Sequence, residues 1–463
     1  MGAGVSALLL VINLMMPHRM RLIGVALLTV PQFYLPGMPL PLATIWTVIT
    51  CIVGLLDRDR TPADSRLVTL IGLFVCVTAV SLLWATSSGI RPGIVTVTYA
   101  LVFLLWLREM IVLARNTPEL IDTFVIWMVP GVMLQSFLVI LFRVSPTLEE
   151  RFLRSQAAAI TVGPTASRLY TDLGNNVLDV SKSGGLLVNG NVASLFGGVA
   201  GLLLCVAARR TGHRLLFLCA GISLAGSLFT GSKSAILVGT CCAISVIIFP
   251  HMRRGSAIQF ALPALLTMPL AYLVASDIVQ RIAPSFYAAS DSSYDTRQLL
   301  WARAASMFRE HPILGPGFGG WTEQVGRIGS HYNLPPHNYV IAAWAYSGIV
   351  AALIAIAFVA ASLAFGFRVA VAQPSLRDRR TAILALCALA WVFFHGMADN
   401  TPFYGDRLTM ILFAAALSYL YVIASPFEQD ASGGTVSNAG STAHSSLLRR
   451  PPPLKIASTR KIG

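Results

Sequence analysis

Charge is what this 463-residue sequence has least of. Asp, Glu, Lys and Arg together supply 12% of it, against roughly 25% in a soluble domain, which excludes an ordinary water-soluble fold. Cysteine is sparse and carries no pattern: Cys51, Cys76, Cys205, Cys219, Cys241, Cys242 and Cys387 all lie inside apolar runs, so neither a disulfide framework nor a zinc-type spacing is present. There is no self-similar period of a repeat array. The glycine-rich stretch Gly315-Pro316-Gly317-Phe318-Gly319-Gly320 lacks the Gly-Lys-Ser/Thr ending of a nucleotide loop. Between residues 186 and 275 there is no Asp or Glu at all, whereas ion-coupled carriers keep ionisable groups inside the bundle.

What the chain does have is apolar length. Hydrophobic residues make up 55% of it and the mean hydropathy is +0.70. Runs near 22–36, 40–56, 67–84, 90–107, 120–142, 186–208, 214–231, 233–250, 256–275, 338–367, 381–397 and 406–424 approach the ~20 residues a membrane span needs. The expectation is an all-α polytopic membrane protein of about 12 transmembrane helices. Residues 4–16 are apolar but short, and no basic stretch precedes them as in a cleaved signal peptide. Arg58, Arg60, Arg66, Arg108, Arg115, Arg209, Arg210, Arg214, Arg253, Arg254, Arg368, Arg377, Arg379 and Arg380 fall in loops on one side of that alternation, which the positive-inside rule makes cytoplasmic. The long loops 143–185 and 276–337 then face outward. Most of the net charge of +14 sits on the cytoplasmic side, where it meets anionic lipid rather than nucleic acid. The chain divides into a transmembrane domain, 1–424, and a Ser/Gly/Thr-rich basic tail, 425–463, with too few apolar residues to fold.

The outward loop 276–337 is where chemistry is expected. Asp295 or Thr296 can cap a helix running to Glu310, with Leu300, Trp301, Ala304, Met307 and Phe308 as its apolar stripe. Arg297 lies on the edge of that stripe, and a guanidinium suits phosphate oxygens. After Pro335-Pro336 a helix starts near His337-Asn338. Its first amides lack intrahelical partners and can serve a phosphate, and an imidazole there can take a proton near neutral pH. The bland reading is an interfacial His that caps its helix. Lys233 lies between two apolar runs at the outer face, either bound to phosphate or snorkelling to the lipid surface. Asn189-Gly190-Asn191 opens the 186–208 run, either to bind a sugar or phosphate through its amides or as simple helix-start chemistry. His331 and His337 do not share a helix face and have no carboxylate cluster, so no metal is expected.

Taken in order, these residues resemble the O-antigen ligase and polymerase superfamily of bacterial polysaccharide assembly. The resemblance rests on His337-Asn338, nine residues, then Gly348; on Arg297…Trp301 leading to His311-Pro312-Ile313-Leu314-Gly315-Pro316-Gly317-Phe318-Gly319; and on Asn189-Gly190-Asn191-Val192-Ala193. It implies a GT-C-like transferase in the bacterial inner membrane with a large, partly helical periplasmic loop. The implied donor is a glycan on undecaprenyl diphosphate, and no cofactor, metal or nucleotide sugar is implied. The implied acceptor is lipid A–core for a ligase, or a second lipid-linked glycan for an O-antigen or exopolysaccharide polymerase. Transfer would invert the anomeric centre. Carried over by motif, His337 and Arg297 are the catalytic residues, Lys233, Arg297 and Asn338 bind diphosphate, and Asn189 and Asn191 are candidate glycan ligands. The family carries Arg where this chain has Lys233, which keeps the charge and loses the bidentate fork. A secondary transporter is the competing class, disfavoured by the acid-free spans.

Overall fold

Long apolar runs satisfy their own backbone only as helices in a lipid phase, and helices are what they form. The structure is a computed structural model that describes residues 8, 11–34, 40–56, 65–163, 166, 182–251, 277, 281, 284–325, 334–399 and 401–433, with the side chains of 284–294 and 425–433 left aside. It is all-helical, with no strand among the described residues. It divides into a unit Met1–Ala424 and a unit Ser425–Gly463; the first holds everything discussed below. The tail expected to be unfolded begins on the last helix, which runs to Gly433, and from 434 it lies outside the described residues.

In chain order the helices are α1 (His18–Leu28), α2 (Leu42–Leu56), α3 (Arg66–Val80), α4 (Ile90–Asn116), α5 (Pro118–Trp127), α6 (Val129–Val144), α7 (Pro146–Leu153), α8 (Gln156–Thr161), α9 (Gly190–Thr211), α10 (Leu215–Phe229), α11 (Lys233–Ile248), α12 (Pro284–Glu310), α13 (Gly320–Val325), α14 (Tyr339–Ala372), α15 (Leu376–Ala398) and α16 (Arg407–Gly433). Eight helical stretches among the described residues are long and apolar enough to cross a membrane. The expected count of about twelve is therefore not reached there, for identifiable reasons. The α2 and α10 helices are apolar but 15 residues long, about 22 Å at 1.5 Å per residue. The run 22–36 gives only α1, which stops at Leu28 ahead of Pro31, a residue that cannot continue a helix. The run 256–275 lies outside the described residues.

At the centre is α9, whose small residues let neighbours approach closely. Gly198 lies against the Trp391 ring and Gly197 against the Ser223 carbonyl, as expected for helix packing without a hydrophobic drive from water. An aromatic cluster of Phe103, Phe358, Phe393, Phe403 and Phe413 ties α4, α14, α15 and the 401–406 loop together, with centroid separations of 5.1–6.5 Å.

The two ends of this bundle differ chemically. At one end Arg209 of α9 donates to Thr381 and to the Arg377 carbonyl, Arg379 donates to the Pro250 carbonyl, and Arg210 pairs with Asp122 at 3.0 Å. The Arg209 bonds join the C-terminal end of α9 to the N-terminal end of α15, and the others tie in α5 and the segment after α11. The opposite ends of the same antiparallel helices carry Asn191 and His395, which lie together. Basic residues and candidate site residues thus occupy opposite ends.

Helix α14 is broken. Gly348 has φ 86°, ψ 175° inside it, a backbone conformation that disfavours any residue with a Cβ. The 312–317 segment fills the break: Ile349 N–H donates to the Ile313 carbonyl at 2.8 Å and Gly317 N–H to the Ala345 carbonyl at 2.9 Å. Trp344 Nε1 adds a bond to the Pro312 carbonyl at 3.2 Å. A Cβ at position 348 would meet the Ile313 oxygen at 2.6 Å. Gly348→Ala is therefore expected to destabilise the protein by about 1–3 kcal/mol, read as a lower thermal unfolding midpoint of the purified protein in detergent.

Candidate functional site

The first half of α14, Tyr339 to Ser347, points its N-terminus at the end of α15, and three contacts lace the two together. His337 Nδ1 lies 3.4 Å from Asp399 Oδ1, Asn338 Nδ2 donates to the Met397 carbonyl at 3.2 Å, and Tyr404 OH donates to the Tyr339 carbonyl at 2.8 Å. Asp399 is buried while His337 is partly open. His337 takes φ 50°, a left-handed conformation rare outside glycine and found preferentially where function constrains the chain. With Nδ1 turned to the carboxylate, Nε2 is the nitrogen left for chemistry.

Arg297 joins this group through α12. One turn along, Trp301 Nε1 donates to the Pro336 carbonyl at 3.2 Å, which ties that face of α12 to the residue before His337. The charges that act on the buried His395 are those of Asp399, Arg297 and Asp406, and its ring faces the Asn191 backbone; Nδ1 bonds Thr401 Oγ1 at 2.9 Å. Arg297, Asp399 and Asn191 are therefore within electrostatic reach of His395, and His337 joins them through Asp399. Helix α12 starts at Pro284, well before the caps expected at Asp295 or Thr296, but ends at Glu310 as expected. Leu300, Ala304 and Met307 are buried; Phe308 is exposed and packs on Trp344 with centroids 5.3 Å apart. His331 lies outside the described residues.

Two expectations about helix starts change. Helix α14 begins at Tyr339, with Asn338 as its cap: Asn338 Oδ1 accepts from Val340 N at 2.9 Å and Ile341 N at 3.1 Å. The amides expected to meet a phosphate there, and the Asn338 side chain expected to help, are engaged with each other. Asn189 does the same for α9, accepting from Asn191 N at 2.8 Å and Val192 N at 3.4 Å, so helix-start chemistry is the role its oxygen has. Helix α11 differs: its cap residue Ser232 makes no side-chain bond to the helix backbone, and its hydroxyl meets Ser234 Oγ at 2.8 Å.

Lys233 is the first residue of that helix and half-buried. It stands at the same end of the bundle, because the turn before it packs on the entry to α9. The Thr230 carbonyl accepts from Ser183 N at 3.1 Å, and Gly190 lies against it. Lys233 is not among the charges acting on His395.

The segment leading into α9 is pinned from below. Gln135 accepts from Leu186 N at 2.9 Å and donates to the Gly184 carbonyl at 2.8 Å, while Glu149 accepts from Gly184 N at 3.1 Å. Burial pushes the Glu149 carboxyl up to about 7, against a smaller opposing effect of the Gly184 bond.

Asp399 and His395 escape a reading by motif. Asp399 reads as a helix-end acid and His395 as one polar residue within an apolar run; only their juxtaposition with His337 and Arg297 gives them meaning.

A multi-pass helical membrane protein whose cations and a His–Asp pair gather at the end away from its basic loops is the class this defines. Residues 184–356, from the entry to α9 through the break in α14, are similar to the O-antigen ligase family. No curated protein matches the chain.

Glu149 makes stability depend on pH. Because its folded value lies above the ordinary 4.5, the unfolded chain releases this proton first as pH rises. Stability is full below about 4.5, falls up to about 7 and is level above. Glu149→Gln keeps an acceptor for Gly184 and is expected to remove that component, read as a flatter dependence of the unfolding midpoint between pH 5 and 8.

Proposed function

We propose that this protein is an O-antigen ligase-type glycosyltransferase that moves a glycan from undecaprenyl diphosphate to an acceptor hydroxyl on the periplasmic side of the bacterial inner membrane. The observation that carries the reading is the contact of His337 with Asp399, in electrostatic reach of the group that includes Arg297; His337 and Arg297 lie within the segment that matches the family.

His337 Nε2 takes the proton of the acceptor hydroxyl as its oxygen attacks the anomeric carbon. The bond from that carbon to the diphosphate oxygen breaks, and the configuration inverts in one displacement. Asp399 holds the imidazole with Nδ1 protonated and stabilises the imidazolium that forms, the role a carboxylate plays behind a catalytic His. Arg297 and Lys233 meet the charge that grows on the leaving diphosphate. Confinement of donor and acceptor at one end of the bundle supplies proximity. Basic residues gathered at the opposite end support an outward-facing site by the positive-inside rule. Lipid A–core is the acceptor in this reading.

Substitutions at three positions test the roles with purified lipid-linked donor. His337→Ala is expected to lower kcat by about 10²–10⁴-fold, the usual share of general base catalysis, with folding intact; near-normal transfer by this variant would remove the base from the scheme. Asp399→Asn is expected to lower kcat by at least about 10²-fold with little change in donor KM, since it upsets the tautomer and not the binding. Lys233→Ala is expected to raise donor KM and Lys233→Arg to restore it. In a strain lacking the gene, loss of glycan-capped lipid with retention of lipid-linked polymer supports the ligase reading, and shortening to single repeats assigns polymerisation instead.

A further inference from the structure

Beside the entry to α9 lies a cavity of about 170 Å³ between the 30–34 loop after α1, the end of α8 and the start of α16. Leu186 and Val188 form its apolar floor, and Gln32, Tyr34, Asp406 and Arg407 its polar wall. It is smaller than the ~300 Å³ at which pockets for drug-sized ligands begin, so it has room for one sugar-sized group and not for a lipid.

Its walls are held in place. Tyr34 N–H donates to the Ile160 carbonyl at 2.6 Å and the Phe33 carbonyl accepts from Leu42 N at 2.8 Å. The Tyr34 ring is clasped between Gly163 on one face and the Arg407 guanidinium, 5.3 Å from its centroid. Phe33 and Val188 both take positive φ, 30° and 64°, a strained state that costs about 1–3 kcal/mol each.

The polar groups are left with unused capacity. Gln32 is only 8% exposed, and its amide has no hydrogen-bond partner among the described residues. Its polar atoms stay open to the cavity that the residue lines, with donor and acceptor capacity unused. Arg407 has no carboxylate in ion-pair reach among the described residues. Asp406 uses one carboxylate oxygen, Oδ2, to cap α16 through Thr409 N and Oγ1, at 2.7 and 2.6 Å; Oδ1 has no partner there. A guanidinium, a carboxylate and an amide around one small space offer donors and acceptors together with near-zero net charge. Adjacent hydroxyls of a neutral ring satisfy such a set, whereas a phosphate would face the Asp406 charge.

We propose that this cavity is a sugar subsite that holds one pyranose ring of the glycan being transferred. The assignment of the ring to the transferred glycan rests on the transferase reading above. Asp406 also acts on His395, and Val192 of the lining follows Asn191 directly, so a ring seated here is anchored next to the reacting group without touching it.

The test uses full-length protein in nanodiscs, wild type against Gln32→Leu, which keeps the bulk and loses the amide, and Thr161→Phe, which fills the space from its rim. Ligand-observed NMR with a panel of free hexoses, N-acetylhexosamines and 6-deoxyhexoses is expected to show binding to wild type and about 10-fold weaker binding to both variants, the loss of roughly one hydrogen bond. In the transfer assay the apparent KM for the glycan substrate is expected to rise by a similar factor while kcat stays within about twofold. Sugar binding that is lost in the variants, with no transfer by any of the proteins, keeps the subsite and removes the transferase reading. Transfer and sugar binding that are the same in wild type and both folded variants overturn the subsite and leave the transferase reading standing. Binding of none of the sugars, with KM unmoved in Gln32→Leu, overturns the subsite too.

Discussion

The exchange of backbone hydrogen bonds between the 312–317 segment and the broken turn of α14 is the constraint on which the rest of this site depends. A helix interrupted at Gly348 leaves the Ala345 carbonyl and the Ile349 amide without their helical partners, which is costly in a non-aqueous interior. Here the chain itself supplies partners, through Gly317 and Ile313. The arrangement closes a circuit: α12 delivers Arg297, its continuation plugs α14, and the front half of α14 delivers His337. The same plug rests on the turn between α3 and α4, where Thr86 N donates to the Phe318 carbonyl at 2.9 Å and Trp84 Nε1 to the Leu314 carbonyl at 3.1 Å. Positions distant in sequence are thereby made rigid relative to one another, which catalysis by orientation requires.

The loop after α15 gives the second support. Within 401–406, Thr401 bonds His395, Phe403 joins the aromatic cluster, Tyr404 bonds the start of α14, and Asp406 caps α16. Side chains anchored in the apolar core therefore set where Asp399 stands against His337. A change in that core, such as loss of the Phe403 ring, reaches the imidazole through two short links and need touch no substrate.

Much of this was legible in the sequence because it is local. The spacing from His337-Asn338 to Gly348 is the length of half a helix from its cap to its break, and Pro335-Pro336 marks where that helix cannot yet have begun. The stripe Leu300, Ala304 and Met307 and the stop at His311-Pro312 follow from periodicity and proline. What was not legible is of two kinds. The start of α12 lies beyond any local signal at Asp295, since a capping residue inside a helix looks the same as one at its end. The pairing of His337 with Asp399 needs the tertiary contact between the start of α14 and the end of α15, and a lone acid at a helix end carries no mark of its partner. Only eight of the expected spans reach full length among the described residues, because apolarity reports burial in protein and burial in lipid alike; α2 and α10 are apolar but short.

Capping also decides where an anion is best served at this end of the bundle. Three helices, α9, α11 and α14, begin here, and each presents the positive end of its dipole. Asn189 and Asn338 satisfy the second and third amides of α9 and α14 from their own side chains, which leaves those starts little to offer. Helix α11 has no such side-chain cap, and its first residue is a lysine, the wrong sign for a helix start by about 0.3–1 kcal/mol. Both features become more favourable beside a negative group, which would take the open amides and add to the interactions the ammonium already makes. The diphosphate of the proposed donor is such a group. Of the positions expected to bind diphosphate, Lys233 at the uncapped start of α11 therefore suits the proposed donor better than Asn338 at the capped start of α14. His337 is then left free of the leaving group and faces the acceptor, which is the division of labour that an in-line displacement requires.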